Sequence, residues 1–304
     1  MVGIVGSSNY DIVLYVEDFT LPGVTQKALN LEYFPGGKGA NQAVCVAKLS
    51  GRDVFFLTCI GNDQFGNKLK DIYLKLNIKG FVQVDTDNGL AFIEVNKSGE
   101  NRIIIYTGAN DLLSVDLVRS KLNEINDLSI ILLQNEIPTE STLYTAMMCK
   151  EMSKTVIFDP APATRIPIEI VKFVDYITPN ETELRTLSNE WFGTTLGLEE
   201  FYNKLLKINS NVKLIVKQGS KGIAFLSPEM NLDMQAFNVN PVDTTAAGDV
   251  FNGAFAVALD EKKDIFSALR FASASAALSV TKKGAQTSIP SRQEVEEFLK
   301  SFPE

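Results

Sequence analysis

Short runs rich in Val, Ile, Leu and Phe recur along the chain at Val2–Val5, Val54–Cys59, Ile130–Gln134, Val156–Phe158, Tyr176–Thr178 and Leu214–Lys217, with longer amphipathic stretches between them. Near-continuous apolar runs of this length are strands buried on both faces. Their alternation with helical patterns predicts an α/β fold, a mostly parallel central sheet flanked by helices. Helices are predicted at Ala40–Leu49, stopped by Gly51, and at Val115–Ile125. Two Ala-rich segments, Ala246–Leu259 and Ile265–Val280, have small residues that permit close helix packing, and Glu294–Lys300 reads as a polar terminal helix.

Two stretches break that rhythm. Gly89–Val95 and Asn101–Thr107 flank a turn containing Gly99 and read as a hairpin. Within 11–34, Ile12–Val16 and Lys27–Tyr33 supply further candidate strands. Roughly 11–34 and 86–108 are therefore expected to join into a small inserted β-sheet, with apolar faces free to cover a ligand or to pair with another subunit. No linker, repeat or low-complexity tract marks a second domain, so 1–304 is expected to be one domain.

Charge and composition narrow the chemistry. With 29 basic and 37 acidic residues the net charge is −8, a field that repels polyanions, so no nucleic-acid partner is expected. No apolar run approaches the ~20 residues that span a bilayer, and no secretory signal opens the chain, which predicts a cytosolic protein without a membrane partner. Cys45, Cys59 and Cys149 are odd in number and widely spaced, as structural thiols are. The sequence has no His, which excludes His-based triads and His-ligated metals. Any general base must be a carboxylate, Lys or Tyr.

Four segments carry candidate chemistry. Pro35-Gly36-Gly37-Lys38-Gly39-Ala40-Asn41-Gln42-Ala43 precedes a helix with glycines that allow close backbone approach, and its helix N-terminus is expected to offer free N–H groups. In Val242-Asp243-Thr244-Thr245-Ala246-Ala247-Gly248-Asp249, a helix starting near Ala246 would converge the N–H groups of Ala246, Ala247 and Gly248 on one point beside Asp249, where a transferring phosphoryl group could sit. In Ile177-Thr178-Pro179-Asn180-Glu181-Thr182-Glu183, a capping box from Thr178 to Glu181 accounts for those two residues. It leaves Asn180 and Glu183 on one face, spaced to hold a Mg-bound phosphate through water. Lys217-Gln218-Gly219-Ser220-Lys221-Gly222 is a hairpin turn before Ile223–Leu226. That turn, Asn9 and Asp11, Asn135-Glu136, and Asp159 all lie at or just past the carboxyl ends of strands, the rim where open α/β sheets bind ligands.

The segments Gly36–Ala43 and Asp243–Gly253 resemble the two signatures of the ribokinase-like (pfkB) carbohydrate kinases, and the resemblance runs from Gly6-Ser7-Ser8-Asn9 to Lys283–Pro290. It implies ATP-dependent phosphorylation of a sugar, and the form of the first signature implies D-ribose, phosphorylated at O5. It further implies that Asp249 is the base, beside an anion hole at Ala246, Ala247 and Gly248. Asn9, Asp11, Gly37, Lys38, Gly39, Ala40, Asn41 and Glu136 would hold the sugar together with Asp249. Asn180 and Glu183 would lie near the phosphates and Mg²⁺. Lys217, Gln218, Gly219, Ser220, Lys221, Gly222, Gly248 and Ser273 would surround ATP, with Asp249 beside them. Asp243, Thr245, Ser279, Lys282, Gly284 and Ser288 match a monovalent-cation (K⁺) loop, several through backbone carbonyls. The inserted strands would form a lid and a homodimer contact. Alternatives are another sugar or nucleoside kinase of the family, such as a fructokinase or pseudouridine kinase, and a noncatalytic sugar- or nucleotide-binding regulator. A nicotinamide-dependent dehydrogenase is disfavoured, since Gly3-Ile4-Val5-Gly6 lacks the glycine spacing for a pyrophosphate.

Overall fold

The computed structural model describes residues 1–302, except the side chain of Leu122. Nine strands form one sheet in the order Asn231–Met234, Ile223–Leu226, Lys213–Lys217, Tyr176–Ile177, Thr155–Phe158, Ile130–Leu133, Val2–Val5, Val54–Leu57 and Ile78–Lys79. Pairing is parallel except at the Asn231 edge, where Lys213–Lys217 and Ile223–Leu226 make the expected hairpin. The predicted fold class therefore holds. After Val2–Val5 the chain builds one side of the sheet, then returns to build the other from Ile130–Leu133 onward. That reversal is a topological switch point, and it opens a crevice beyond the carboxyl ends of these two neighbouring strands.

The central strands read as unbroken apolar runs because both of their faces are covered. Leu132 packs into the core under helices Lys38–Ser50, Ala247–Asp260 and Ile265–Ser279. Its neighbours Ile131 and Leu133 point the other way, into the core under Thr139–Glu151 and Leu198–Leu206. Among the described residues no helix is long and apolar enough to cross a membrane.

Some expectations shift. The run Val54–Cys59 is two strands: Cys59–Gly61 leaves the main sheet to pair with Val82–Val84. The stretch Val115–Ile125 breaks at Lys121 into Val115–Ser120 and Leu122–Ile125, where the Ser120 hydroxyl bonds back to Leu117 O at 2.7 Å and competes with the helix ladder. Helix Thr139–Glu151 went unpredicted because its buried stripe includes Ser141, Thr142 and Thr145, which hide the apolar period.

The small sheet is present, in the order Asn30–Gly36, Asn9–Tyr15, Gly89–Val95, Asn101–Tyr106. It is mixed, since Asn9–Tyr15 runs parallel to Gly89–Val95 while the outer pairs are antiparallel. The first pair begins and ends later or earlier than the apolar runs suggest: Asn9 and Asp11 lie within one strand, and the other continues to Gly36. The sheet therefore feeds directly into the glycine loop.

Gly253 fixes the crossing of Ala247–Asp260 over Lys38–Ser50. A Cβ there would lie 2.8 Å from Cys45 Cβ and 3.1 Å from Gln42 O. Gly253→Val is expected to destabilise the protein by about 1–3 kcal/mol, read as a lower urea midpoint with unchanged m; a parental midpoint would mean that the two helices part at no cost.

Candidate active site

Strand Asn30–Gly36 delivers the chain to Gly37, whose φ of 88° disfavours any side chain and whose Cβ would come 2.6 Å from Asn9 N. At Gly39 a Cβ would lie 2.7 Å from Gly6 C and Ser7 N. These two absences let the helix Lys38–Ser50 start against the segment that leaves Val5. Its first N–H groups are not free, contrary to the expectation from sequence. Lys38 N donates to Glu136 Oε2 at 3.0 Å, Gly39 N to Ser7 Oγ at 3.5 Å, Ala40 N to Ser7 O at 2.9 Å and Asn41 N to Gly37 O at 2.8 Å. Gly39 and Ala40 thus shape the loop, and what it presents is side chains.

Asn41 and Gln42 reach from that helix to Asp249 in the first turn of Ala247–Asp260. Asn41 Nδ2 donates to Asp249 Oδ2 at 2.9 Å and Gln42 Nε2 to Asp249 Oδ1 at 3.2 Å. Asp249 is 4% exposed, and burial raises its pKa to about 6, Lys38 pulling it down while Asp159 and Glu136 push it up. Burial opposes the Lys38 ammonium too, but Asp249, Glu136, Asp159 and Glu183 together hold its pKa above the ordinary value.

The turn before Asp249 differs from the glycine loop. Ala246 takes φ 61°, and Ala247 N turns back to Thr244 O at 3.3 Å, so it leaves the expected set of convergent donors. Among the described residues, the N–H groups of Ala246, Gly248 and Asp249 have no acceptor. This N-terminus is open to an anion.

Across the switch point, Glu136 Oε2 also accepts from Ser7 Oγ at 2.6 Å, and Asn9 Oδ1 accepts from Asn110 Nδ2 at 2.7 Å. Asp11 extends from the small sheet over Gly36, where a Cβ would strike its carboxylate. Burial first, then Glu136 and Asp249, raise the Asp11 pKa to about 7.

A cavity of about 750 Å³ opens beside Lys38 and Asp249 and runs over the carboxyl ends of the strands. Asn180, Glu183, Lys217, Gly219, Ser220, Gly222, Gly248 and Ser273 line it, with Asp159, Thr244 and Phe237. Ser273 Oγ is buried there without a partner among the described residues. Gln218 and Lys221 stay outside the wall: Gln218 N bonds Gly222 O at 2.8 Å, and Lys221 pairs with Glu181 at 3.0 Å. The helix cap also differs from expectation. Glu181–Phe192 is capped by Asn180, whose side chain accepts from Glu183 N at 2.8 Å while Glu183 Oε2 accepts from Asn180 N at 2.7 Å. Thr178 instead bonds Phe158 O at 3.5 Å. Burial, then Asp159, raises the Glu183 pKa. Its Oε1 has no partner among the described residues and faces a cavity that it helps to line.

Asp243 joins the two halves of the predicted cation loop. Oδ1 accepts from Thr245 N at 2.9 Å and Thr245 Oγ1 at 2.6 Å, and Oδ2 from Gly284 N at 2.9 Å. Burial would raise its pKa, but those bonds and Lys283 hold it below the ordinary value. Ser279 Oγ donates to Ala276 O at 2.8 Å and Ser288 Oγ to Ala285 O at 2.8 Å, while Lys282 Nζ pairs with Glu294 at 2.6 Å, so Lys282 could act there only through its backbone carbonyl.

Residues missed as site members are Ser7, Asn110, Gln134 and Gln42, whereas Asp159, expected on the rim without a stated role, lines the cavity. Gln42 had a signal, its place inside the glycine segment. Ser7, Asn110 and Gln134 meet the site only through tertiary contacts.

A switch-point cavity with an open helix N-terminus, a buried carboxylate beside it and two lysines on its wall defines an α/β protein that handles an anionic ligand. The model of the pfkB family carbohydrate kinases matches residues 1–292, and the chain belongs to that family. It is 39% identical over 303 residues to a ribokinase of Haemophilus influenzae, covering 97% of each chain. It is 33% identical to a deoxyribokinase of Salmonella typhi, covering 98% of each. Among solved structures, a ribokinase from Thermotoga maritima superposes with a TM-score of 0.94 at 51% identity, covering 98% of this chain and 99% of that one. An Arabidopsis thaliana ribokinase complexed with ribose and ATP gives 0.86 at 34% identity, covering 98% of each.

The raised Asp11 pKa has a stability consequence. In the unfolded chain Asp11 ionises near its ordinary 3.8, and in the fold near 7, so the fold binds the extra proton between these values and loses stability as pH rises through them. Asp11→Asn is expected to melt above the parent at pH 8, with the gap narrowing towards pH 5. Equal melting temperatures at pH 8 would show that Asp11 ionises there without penalty.

Proposed function

We propose that the chain phosphorylates D-ribose at O5 with ATP, giving ribose 5-phosphate and ADP. The observation that carries this reading is Asp249, a buried carboxylate gripped by two amides next to unpartnered N–H groups. Proton removal from a primary hydroxyl is needed only late in a loose phosphoryl-transfer transition state, so a carboxylate suffices as base. The relatives support the same substrate, since they include ribokinases over the full chain and one complexed with ribose and ATP.

In this reading Asn9, Asp11, Gly37, Lys38, Asn41 and Glu136 receive the sugar, with Gly39 and Ala40 holding the loop that presents them. The turn Ala246–Gly248 receives the transferring phosphoryl group, where N–H donors offset charge on its oxygens. Lys217, Gly219, Ser220, Gly222 and Ser273 line the nucleotide side, and Gln218 and Lys221 shape the turn that carries them. Mg²⁺ suits Asn180 and Glu183 through water, since Glu183 Oε1 has no partner among the described residues; when bound it would offset negative charge on the phosphates. A monovalent cation, K⁺, suits the backbone carbonyls of the linked Asp243–Thr245 and Ser279–Ser288 segments. A cytoplasmic location belongs to this reading, since ATP is the donor.

We read 1–304 as one ribokinase-like domain, with the sheet from 11–34 and 86–108 as a lid that excludes water on closing. The lid's edge strand Asn101–Tyr106 exposes Ile103, Ile104 and Ile105 in succession, and Leu31, Tyr33 and Phe92 are exposed on the same sheet. An apolar edge of this kind aggregates unless covered, which favours a homodimer through the lid. Light scattering should give twice the chain mass at micromolar concentration, and Ile104→Lys should halve it. A parent that is strictly monomeric overturns the lid dimer.

ADP release should be measured with MgATP and D-ribose, 2-deoxyribose, fructose, adenosine or pseudouridine, each with and without K⁺. Ribose-dependent turnover stimulated by K⁺ is expected, with kcat/KM falling as pH drops through about 6 and Asp249 takes up a proton. Asp249→Asn should lose at least about 100-fold in kcat while calorimetry still detects ribose binding. Turnover confined to another acceptor overturns the sugar, and ribose binding without turnover favours a regulator.

A further inference from the structure

Two fully buried amides, Gln42 and Gln134, stand behind the residues that line the nucleotide cavity and do not line it themselves. Gln42 Nε2 lies 3.2 Å from Asp249 Oδ1 and 3.3 Å from Asp159 Oδ2. Its Oε1 accepts from Gln134 Nε2 at 2.6 Å. Asp159 is 2% exposed and pairs through its other oxygen with Lys217 Nζ at 2.9 Å. The sense of this chain of bonds is forced. Ionised carboxylates only accept, so Gln42 must turn its NH₂ towards them; its oxygen then faces Gln134, which must present its own NH₂. Gly6 makes room for that arrangement, because a Cβ there would overlap the Gln134 side-chain oxygen.

We propose that Gln42 is a positioning residue for Asp249: held in one sense by Gln134, it ties Asp249 to the Asp159–Lys217 pair and fixes the angle at which the carboxylate meets the acceptor hydroxyl. The inference rests on Asp249 being the base. Asn41 holds one oxygen and Gln42 the other, so the carboxylate cannot turn about its last bond without losing a donor. Through Asp159 the same amide links the base to Lys217, which stands 3.2 Å from where a Cβ of Gly248 would be. One side chain thereby sets the base and a phosphate-facing lysine relative to each other.

The charged and titratable groups facing Asp249 are Lys38 and Cys45 from its partner helix, Asp159 and Lys217 from the strand ends, Glu136 across the switch point and Asp11 from the small sheet. Against that background two substitutions have opposite effects. Gln42→Met keeps the length and removes the amide between Asp249 and Asp159, leaving Asn41 on one carboxylate and Lys217 on the other but no donor between them. Its kcat should fall about 10- to 100-fold with KM for MgATP little changed. The acid limb of its kcat/KM profile should move to higher pH by about one unit, because the charged form of Asp249 loses a hydrogen bond. Asp159→Asn removes a facing negative charge but keeps an oxygen for Gln42, so its limb should move to lower pH. A packing role would lower the melting temperature and move neither limb.

Parental kcat and an unmoved limb in folded Gln42→Met overturn the proposal. If that variant does not fold by circular dichroism, Asp159→Asn decides, and an unmoved limb there overturns it. The Asp249 carboxyl resonance, titrated by NMR in the same proteins without substrate, reads the bridge independently of turnover. Opposite displacements there in a parent that phosphorylates nothing would support the bridge and overturn the kinase reading alone; equal titrations in parent and variants would overturn the bridge alone.

Discussion

The site depends on how closely one helix start can approach one strand end. Gly37 and Gly39 lack the Cβ atoms that would meet Asn9, Gly6 and Ser7, and Ala40 N can therefore bond Ser7 O at 2.9 Å. From that contact the rest follows in order. Glu136, at the end of the neighbouring strand, reaches both Ser7 and Lys38, and Asn41 and Gln42 project towards the second helix. Gly253 lets that helix come near enough for Asp249 to be met from both sides. Side chains at 39 and 253 would move the two amides away from the carboxylate, although neither glycine touches it.

The second constraint is electrostatic. Asp11, Glu136, Asp159, Glu183 and Asp249 converge around Lys38 and Lys217, so negative charge exceeds positive in a region that is largely buried. Burial is the largest cause of the raised pKa at Asp11, Glu183 and Asp249; repulsion from Glu136 and Asp249 adds to it at Asp11, from Asp159 at Glu183, and from Asp159 and Glu136 at Asp249. Such a cluster suits donors of hydrogen bonds. A polyhydroxy ligand supplies several, which is consistent with the proposed sugar.

The sheet was legible in the sequence because strands covered on both faces have no polar positions to interrupt them, as in Ile130–Leu133. The switch point was not, since strand order is a matter of which runs pair and no single run encodes its neighbour. Helix Thr139–Glu151 was hidden by the hydroxyls on its buried face; Thr145 spends its own on Ser141 O one turn back and Thr142 on Gln134 O, outside the helix. In the site, the loop glycines and Asp249 stood out because small residues at a helix start, with a charged side chain beside them, are more than a turn or a helix cap requires. Asn180 and Glu183 stood out for a wrong reason: they cap a helix, and the Thr178 box that seemed to account for the cap does not form. Gln42 lay inside the glycine-rich segment yet gave no sign of its contacts, since an amide in a helix reads as ordinary surface until the facing carboxylates are known.

The two helix starts show why glycine-rich loops cannot be read as anion sites from sequence alone. Both follow small residues, and both begin beside a charged side chain. The start at Lys38 satisfies its donors from Lys38 to Asn41 with Glu136, Ser7 and Gly37, which leaves none of those four N–H groups for a ligand. The start at Ala247 leaves donors open because Ala246 takes a left-handed turn and only Ala247 N folds back. An unpaired N–H at a cavity wall costs free energy unless water or a ligand accepts from it. The saturated start gives the site its geometry, and the open one leaves donors for an anion; the proposed phosphoryl transfer needs both, and the 2.9 Å bond from Asn41 to Asp249 ties one helix to the other.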